Sequence, residues 1–121
     1  MASKKDITVD KGATFELQII YKNAQGIIVD LTGYTARGQV RSDANSAVVI
    51  AEFDCTIPTP TNGTVICTIP GSETKLIPTT GATYADKEIY YYDIELVNGA
   101  EVIRLINGAC YVSPEITKTT P

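Results

Sequence analysis

Residues 88–97 read EIYYYDIELV, and this stretch decides the fold. Large apolar side chains occupy every second position, a pattern typical of a β-strand with one face against a core. The inward face is predicted to carry Tyr90, Tyr92, Ile94 and Leu96. Tyr91 is predicted to point outward. Asn98-Gly99 follows and predicts a two-residue type I′ hairpin turn, because both positions of that turn require a positive φ.

The same alternation recurs at a spacing of about ten residues, which is typical of a β-sandwich or barrel. Thr, Ile and Val make up about a third of the chain, and such β-branched side chains favour sheet over helix. Further strands are predicted within Ile7–Val9, Phe15–Tyr21, Thr35–Ser42, Ala47–Ile57, Val65–Ile69 and Val102–Val112. We therefore predict one all-β domain of about seven to nine strands in two packed sheets.

Three local features interrupt this pattern. Small residues at Ala36 and Gly38 predict close approach of a neighbouring segment. Apolar parity changes along Val102–Val112, which predicts a β-bulge near Gly108. One short helical turn is predicted near residues 72–77, where a possible N-cap precedes a proline that ends the turn.

Composition and charge exclude several classes of protein. The chain has 121 residues, of which 44% are hydrophobic and 20% charged, so it is neither disordered nor rich enough in apolar runs for a membrane protein. Its net charge is −4 and its basic residues are scattered, whereas a nucleic-acid binder needs a basic face. Lys4 and Lys5 are not followed by an apolar segment, so we expect no secretory signal. We expect neither a nucleic-acid nor a membrane partner.

The residues required for common catalytic chemistry are missing. The chain contains no His, which removes the commonest general base, the usual partner of Ser and Cys nucleophiles, and a frequent zinc ligand. Asp93 with Glu95, and Asp30 with Asp54, are interpreted as ordinary strand and turn acids rather than an acid–base pair. Residues 43–45 begin like a calcium loop but lack its Gly and distal Glu. We expect no enzymatic activity, no cofactor and no metal.

Three cysteines, Cys55, Cys67 and Cys110, form no metal-binding or redox motif. Buried free thiols are the favoured interpretation. A disulfide remains the alternative, and in that case Cys55 and Cys67 on adjacent hairpin strands would be the pair.

Tyrosines and arginines are the remaining candidates for an exposed binding surface. Residues 90–92 could form a stacking platform, but two of these three tyrosines are predicted to be core residues. The exposed aromatic residues are predicted to be Tyr34, Tyr84 and Tyr91. The arginines expected to pair with nearby acids are Arg37, Arg41 and Arg104. Such surface pairs contribute only about 0 to 1 kcal/mol each.

Five turn-and-strand segments follow one another in the order Ile7–Phe15, Val29–Ala36 with Arg41, Tyr92–Leu96, Val102–Leu105 with Gly108, and Val112–Thr117. This order resembles that of a family of small tailed-bacteriophage proteins. The resemblance runs over nearly the whole chain, from Ile7 to Lys118, but Asp43–Thr83 carries no part of it, so it implies no partner surface in that segment. It implies an immunoglobulin-like β-sandwich of about seven to nine antiparallel strands. It also implies a non-enzymatic virion structural protein of the tail, baseplate or fibre-attachment region.

This resemblance implies contacts with other virion proteins and a homo-oligomer within the particle, after synthesis in the host cytoplasm. We expect the sandwich to span residues 7–112, with polar arms at residues 1–6 and 113–121 that contact neighbouring subunits. The arm residues predicted to make contacts are Met1, Lys4, Lys5, Asp6, Pro114, Thr117, Lys118 and Pro121.

Two other functions remain open from the sequence. One is a capsid decoration protein, also called a cement protein, on the phage head. The other is a carbohydrate-binding surface module, with Tyr91 and the loop residues Tyr34 and Tyr84 as its platform.

Overall fold

The computed structural model describes residues 3–43, 45–46, 48–83 and 85–115. It contains the strands β1 (Ser3–Lys4), β2 (Ile7–Asp10), β3 (Phe15–Ile20), β4 (Thr35–Arg41), β5 (Ala51–Thr56), β6 (Thr64–Ile69), β7 (Glu88–Asn98) and β8 (Glu101–Ser113). A 3-10 turn at Pro60–Asn62 and one α-helical turn, α1 (Gly71–Thr74), flank β6. The predicted all-β class is confirmed.

The strands form two layers that are joined along one side by β5. The front layer has the order β1-β8-β7-β4-β5, with β2 also beside β8, and the back layer has the order β5-β6-β3. The first half of β5 pairs with β4, with Phe53 opposite Gly38. Its second half pairs with β6, with Cys55 opposite Cys67. The other side of the sandwich is open, since β1 and β2 on the front layer and β3 on the back layer are the outermost described strands.

These neighbour relations are those of an immunoglobulin-like sandwich, in which strands C, F and G form one sheet and A, B, E and D the other. Here β4, β7 and β8 take positions C, F and G, while β3, β6 and the second half of β5 take B, E and D. The fold also has the tyrosine corner of such domains. Tyr90, near the start of β7, donates its hydroxyl proton to the Pro78 carbonyl at 2.5 Å.

The ends of the chain differ from the sequence prediction. β1 and β2 run parallel to β8, whereas the prediction had antiparallel strands throughout. The sheet extends from Ser3 to Ser113, which exceeds the expected limits of 7–112 at both ends. β8 stops just before Pro114, which has no N–H group to continue a ladder.

The core forms between the inward faces of the two layers. The four residues of β7 predicted to face inward are all buried, namely Tyr90, Tyr92, Ile94 and Leu96. Phe53 lies between the layers, with its ring centroid 6.2 Å from that of Phe15 and 5.8 Å from that of Tyr92. A Cβ atom on Gly38 would lie 2.8 Å from the Asp93 carbonyl oxygen and 2.4 Å from Ile94 Cδ1, so the close approach of a neighbouring backbone predicted at this glycine is confirmed.

Three local predictions are right in kind but shifted along the chain. The β7–β8 hairpin is present, but its two turn residues are Gly99 and Ala100, because Asn98 pairs with Glu101. Gly99 has φ +59° and no described non-glycine residue has a positive φ, so the type I′ prediction is wrong and the φ pattern is that of type II′.

The predicted bulge lies at Leu105 rather than near Gly108. Ile94 faces Ile106 and Glu95 faces Arg104, which leaves Leu105 as the extra residue of β8. The bulge brings both Leu105 and Ile106 into the core. The helical turn begins at Gly71 and ends at Thr74, earlier than the predicted residues 72–77.

Replacing Tyr90 with Phe tests the tyrosine corner. The change removes the hydrogen bond to the Pro78 carbonyl, and we expect the free energy of unfolding to fall by about 1 kcal/mol in chemical denaturation. Tyr91→Phe is the matched control, because its half-exposed ring lies on the outer face of the same strand. Equal stability of the two variants would contradict a stabilising role for the corner.

Candidate interaction surface

A broad, open depression with both polar and apolar lining covers the outer face of β4, β7 and β8. We call it the outer groove, and it has a volume of about 1020 Å³. The lining residues that matter below are Lys4, Asp6, Arg41, Tyr91, Asp93 and Arg104. The strands that form its floor are the centre of the front layer, so these side chains project from a rigid support.

Charges of both signs alternate across the groove and its margin. Arg37 Nε lies 2.8 Å from Glu95 Oε1, and Arg104 Nε lies 3.6 Å from Asp93 Oδ2. These two ion pairs agree with the sequence prediction. Partial burial, together with repulsion from Glu95, raises the pKa of Asp93, although the nearby arginines oppose this shift. The face is therefore close to electrically neutral and rich in charged groups that a partner could bind.

Arg41 was predicted to pair with an acid, but its hydrogen bonds go to neutral groups instead. Its Nη1 donates to the Ser46 carbonyl at 2.6 Å, and its Nη2 donates to Gln39 Oε1 at 2.7 Å. Gln39 Nε2 in turn donates to Glu52 Oε2 at 3.3 Å. These contacts hold the guanidinium at one end of the outer groove.

An apolar cluster lies beside this end of the groove. Tyr91 is 49% exposed, which confirms its predicted outward orientation. Ile89 on the same face of β7 is 53% exposed, and it pairs with Tyr111 of β8. Sequence reasoning did not single out Ile89, although the alternation along β7 places it on the outer face with Tyr91. It did not single out Tyr111 either, because its position opposite Ile89 depends on the register of β7 and β8.

Tyr34 does not share a surface with Tyr91. The Tyr34 hydroxyl donates to Glu101 Oε1 at 2.7 Å, next to the β7–β8 turn. Thr35, the neighbour of Tyr34, pairs with Val97 of β7, whereas Tyr91 pairs with Arg41. Val97 and Tyr91 are six residues apart, or about 20 Å along the strand. Tyr84, the third predicted member of an aromatic platform, lies outside the described residues.

The described part of the N-terminal arm is attached to β8. Lys4, Lys5 and Asp6 are exposed, as expected for contact residues, but their backbone is held in place. Lys5 N–H donates to the Asn107 carbonyl at 2.8 Å, and Asp6 Oδ1 accepts from Ala109 N–H at 3.0 Å. Their proposed contacts with neighbouring subunits remain a prediction.

Two further features seat this segment on the sheet. The Tyr92 hydroxyl donates to the Lys5 carbonyl at 2.6 Å, and burial raises the pKa of Tyr92 to about 12, so the donor proton is retained at neutral pH. A Cβ atom on Gly108 would lie 2.1 Å from the Lys5 carbonyl oxygen. Only glycine at this position lets the N-terminal segment run so close beside β8.

The described part of the C-terminal arm is also packed against the domain. Pro114 is buried, which removes it from the residues available to a partner. Glu115 lies so close to Gly12 that a Cβ atom there would be 2.0 Å from its Oε2. The other predicted arm residues, Met1, Thr117, Lys118 and Pro121, lie outside the described residues.

β3 presents a free edge on the back layer. Tyr21 N–H donates to the Gly63 carbonyl at 2.8 Å, at the end of the β3–β6 register. Because hydrogen bonding alternates along an antiparallel pair, the odd-numbered residues of β3 bond to β6. The backbone groups of Glu16, Gln18 and Ile20 therefore point away from β6. Within the described chain, no strand pairs with this side of β3.

An apolar patch adjoins the free edge. Ile20 is 49% exposed and Ile28 is 45% exposed. Ile28 forms a bridge with Lys22, which shares a face with Ile20 two residues earlier. The free edge thus combines unpaired backbone groups with accessible apolar side chains.

The described residues contain no group of three or more potential metal-ligating side chains of His, Cys, Asp or Glu. Asp30 is occupied in its own turn, where Thr32 donates through both its N–H and its hydroxyl and lowers the pKa of the carboxyl. None of the helices among the described residues is long and apolar enough to cross a membrane.

Comparison with known proteins gives similarity to solved structures only. No protein family and no curated protein matches the sequence. Murine CRIg matches with a TM-score of 0.40 and 13% identity, covering 92% of each chain. The NK cell receptor NKp44 matches with a TM-score of 0.42 and 11% identity, covering 95% of this chain and 99% of the receptor chain. At these scores the likenesses support no argument about partners or function.

Replacing Gly108 with Val should release the N-terminal segment. The added side chain would occupy the space of the Lys5 carbonyl, so β1 should detach from β8. We expect faster hydrogen exchange of the Lys5 amide, measured by NMR, while the amides of β3 and β6 keep their protection. Ala109→Val is the control, because its side chain lies on the outer face opposite Tyr91. An unchanged Lys5 amide in the Gly108→Val variant would contradict this account.

Proposed function

We propose that the protein is a non-enzymatic structural protein of a bacteriophage virion, an assembly module of the tail, baseplate or fibre-attachment region. It is made in the host cytoplasm and acts within the particle. The order of its turn-and-strand segments supports the phage family. The observation that carries the assembly role is the free edge of β3 on a rigid sandwich whose opposite face holds the outer groove.

The free edge supports binding by strand addition. Natural monomers commonly protect an edge strand with Pro, Lys or a bulge, since unpaired backbone groups otherwise recruit a foreign strand. β3 has the sequence FELQII, which contains neither Pro nor Lys. A strand added here would gain main-chain hydrogen bonds from Glu16, Gln18 and Ile20.

A second copy of the chain fits this edge. Two β3 strands can pair antiparallel with Gln18 opposite its own copy, which places Glu16 opposite Ile20. No like charges then face each other, and the two-fold pairing uses the same surface on both subunits. This supports the expected homo-oligomer.

The outer groove supports contact with a different subunit. Its ion pairs are exposed, and pairs of this kind contribute only about 0 to 1 kcal/mol to stability. Their charges can therefore be re-paired by a partner at little cost to the fold. Charge complementarity of this sort selects partners and orients them during assembly.

The two other functions are supported less well. A capsid decoration protein would use the same surfaces, so it remains the alternative position within the particle. A carbohydrate-binding module needs a continuous aromatic platform, and Tyr34 lies about 20 Å along the sheet from Tyr91. We do not propose that module.

Blocking the free edge tests the strand-addition step. Gln18→Pro removes an outward N–H without removing a β3–β6 hydrogen bond, so the domain should stay folded. We expect sedimentation velocity to show self-association of the natural chain and its loss in this variant. Gln18→Thr is the control, because it keeps the N–H and should still associate. A monomeric natural chain, or association of the Pro variant, would contradict this step.

Particle composition tests the virion role. Phage particles from cells that carry this coding sequence should contain the chain after density-gradient purification, as measured by quantitative mass spectrometry. Copies in multiples of three or six, in the tens or fewer, would support the tail, whereas hundreds would indicate the head. Complete absence of the chain from purified particles would overturn the proposal.

A further inference from the structure

The cysteine pair on β5 and β6 is not used by any surface described above. Cys55 and Cys67 face each other in register, with their sulfur atoms 3.5 Å apart. Both are free thiols in the structure. Cys67 is fully buried, whereas Cys55 is partly exposed at the side of the sandwich where β5 passes between the layers. A reagent in solution can therefore reach Cys55 before it reaches Cys67.

The backbone geometry brings these two side chains as close as neighbouring strands allow. Cys67 lies opposite Leu17, and the alternation fixed by the Tyr21–Gly63 hydrogen bond directs the Cys67 backbone toward β3. Cys55 and Cys67 therefore form a non-hydrogen-bonded cross-strand pair. In such pairs the Cα atoms are about 4.5 Å apart, which is within the range that a disulfide spans.

We propose that Cys55 and Cys67 form a site of thiol–disulfide exchange, which a small-molecule disulfide converts into a β5–β6 cross-link. This inference goes beyond the proposed function and does not depend on it. The proximity of the two sulfur atoms, the register and the one-sided exposure carry it.

The reaction has two balanced steps. The Cys55 thiolate attacks one sulfur of the small disulfide, whose S–S bond breaks to release one thiolate and leave a mixed disulfide on Cys55. Cys67 then gives up its proton, and its sulfur attacks Cys55 to release the second small thiolate. Two protein thiols are oxidised and one small disulfide is reduced to two thiols. The second step is intramolecular, because the sulfur atoms already lie 3.5 Å apart.

The acidities of the two thiols agree with this order. The Cys67 thiol at hydrogen-bond distance stabilises the Cys55 thiolate and lowers the pKa of Cys55, although partial burial opposes the shift. The same contact and burial raise the pKa of Cys67. Thiolates are the attacking species, so Cys55 reacts first.

The third cysteine provides an internal control. Cys110 lies on β8 in the front layer, where it is fully buried and pairs in register with Tyr90 and Ile7. Burial raises its pKa to about 12. It should stay unmodified while the folded protein reacts.

The test treats the folded, reduced protein with oxidised glutathione, blocks remaining thiols in denaturant and maps the peptides by mass spectrometry. We expect a Cys55–Cys67 cross-linked peptide that has lost two hydrogen atoms, with Cys110 blocked as a free thiol. We also expect the oxidised protein to unfold at a temperature a few degrees higher, because the cross-link restricts the unfolded chain.

Two variants separate the site from general oxidation. Cys67→Ala should stop the reaction at the mixed disulfide on Cys55, and Cys110→Ala should form the cross-link as the natural chain does. Persistence of a mixed disulfide on Cys55 in the natural chain, or modification of Cys110 before Cys55, would overturn the proposal.

Discussion

The structure depends on β5, whose backbone pairs with both layers. Its first half bonds to β4 and its second half to β6, so hydrogen bonds connect the two layers along one side of the sandwich. Phe53 lies at the change of partner, and its ring contacts Phe15 and Tyr92 from the two layers. Among the described strands, this arrangement leaves the sheet edges on the opposite side, at β1 and β2 on the front layer and at β3 on the back layer. The position of the free edge of β3 therefore follows from the position at which β5 changes partner.

The edges of the two layers on this side are treated differently by the sequence. On the front layer, the N-terminal segment covers β8 and is anchored by the Tyr92 hydroxyl and the absent side chain of Gly108. On the back layer, β3 has no such cover among the described residues. Two accessible surfaces therefore stand out, one formed from side chains in the outer groove and one formed from the backbone of β3. They face different directions.

Alternation of apolar residues was sufficient to predict strands at the positions of β2 to β8, the buried face of β7 and the outward position of Tyr91, but not β1, which is polar and was predicted to belong to an arm. It could not locate the Leu105 bulge, because a change of parity shows that an extra residue exists and not where it lies. The turn type was wrong since Asn98 joined the ladder through Glu101. The outer groove was missed because its members come from four distant segments. The change of partner along β5 does not alter the alternation of apolar residues, so that alternation could not predict it.

Pairing of β1 with β8 joins the two ends of the chain. Asp6 accepts a hydrogen bond from a residue 103 positions later, and Ser3 faces Ile106. A nascent chain leaving the ribosome cannot complete the front layer until β8 has emerged. Contacts so distant in sequence slow folding, and the incomplete sheet would be vulnerable to misassembly during synthesis. The domain can thus close only after its last strand has been translated.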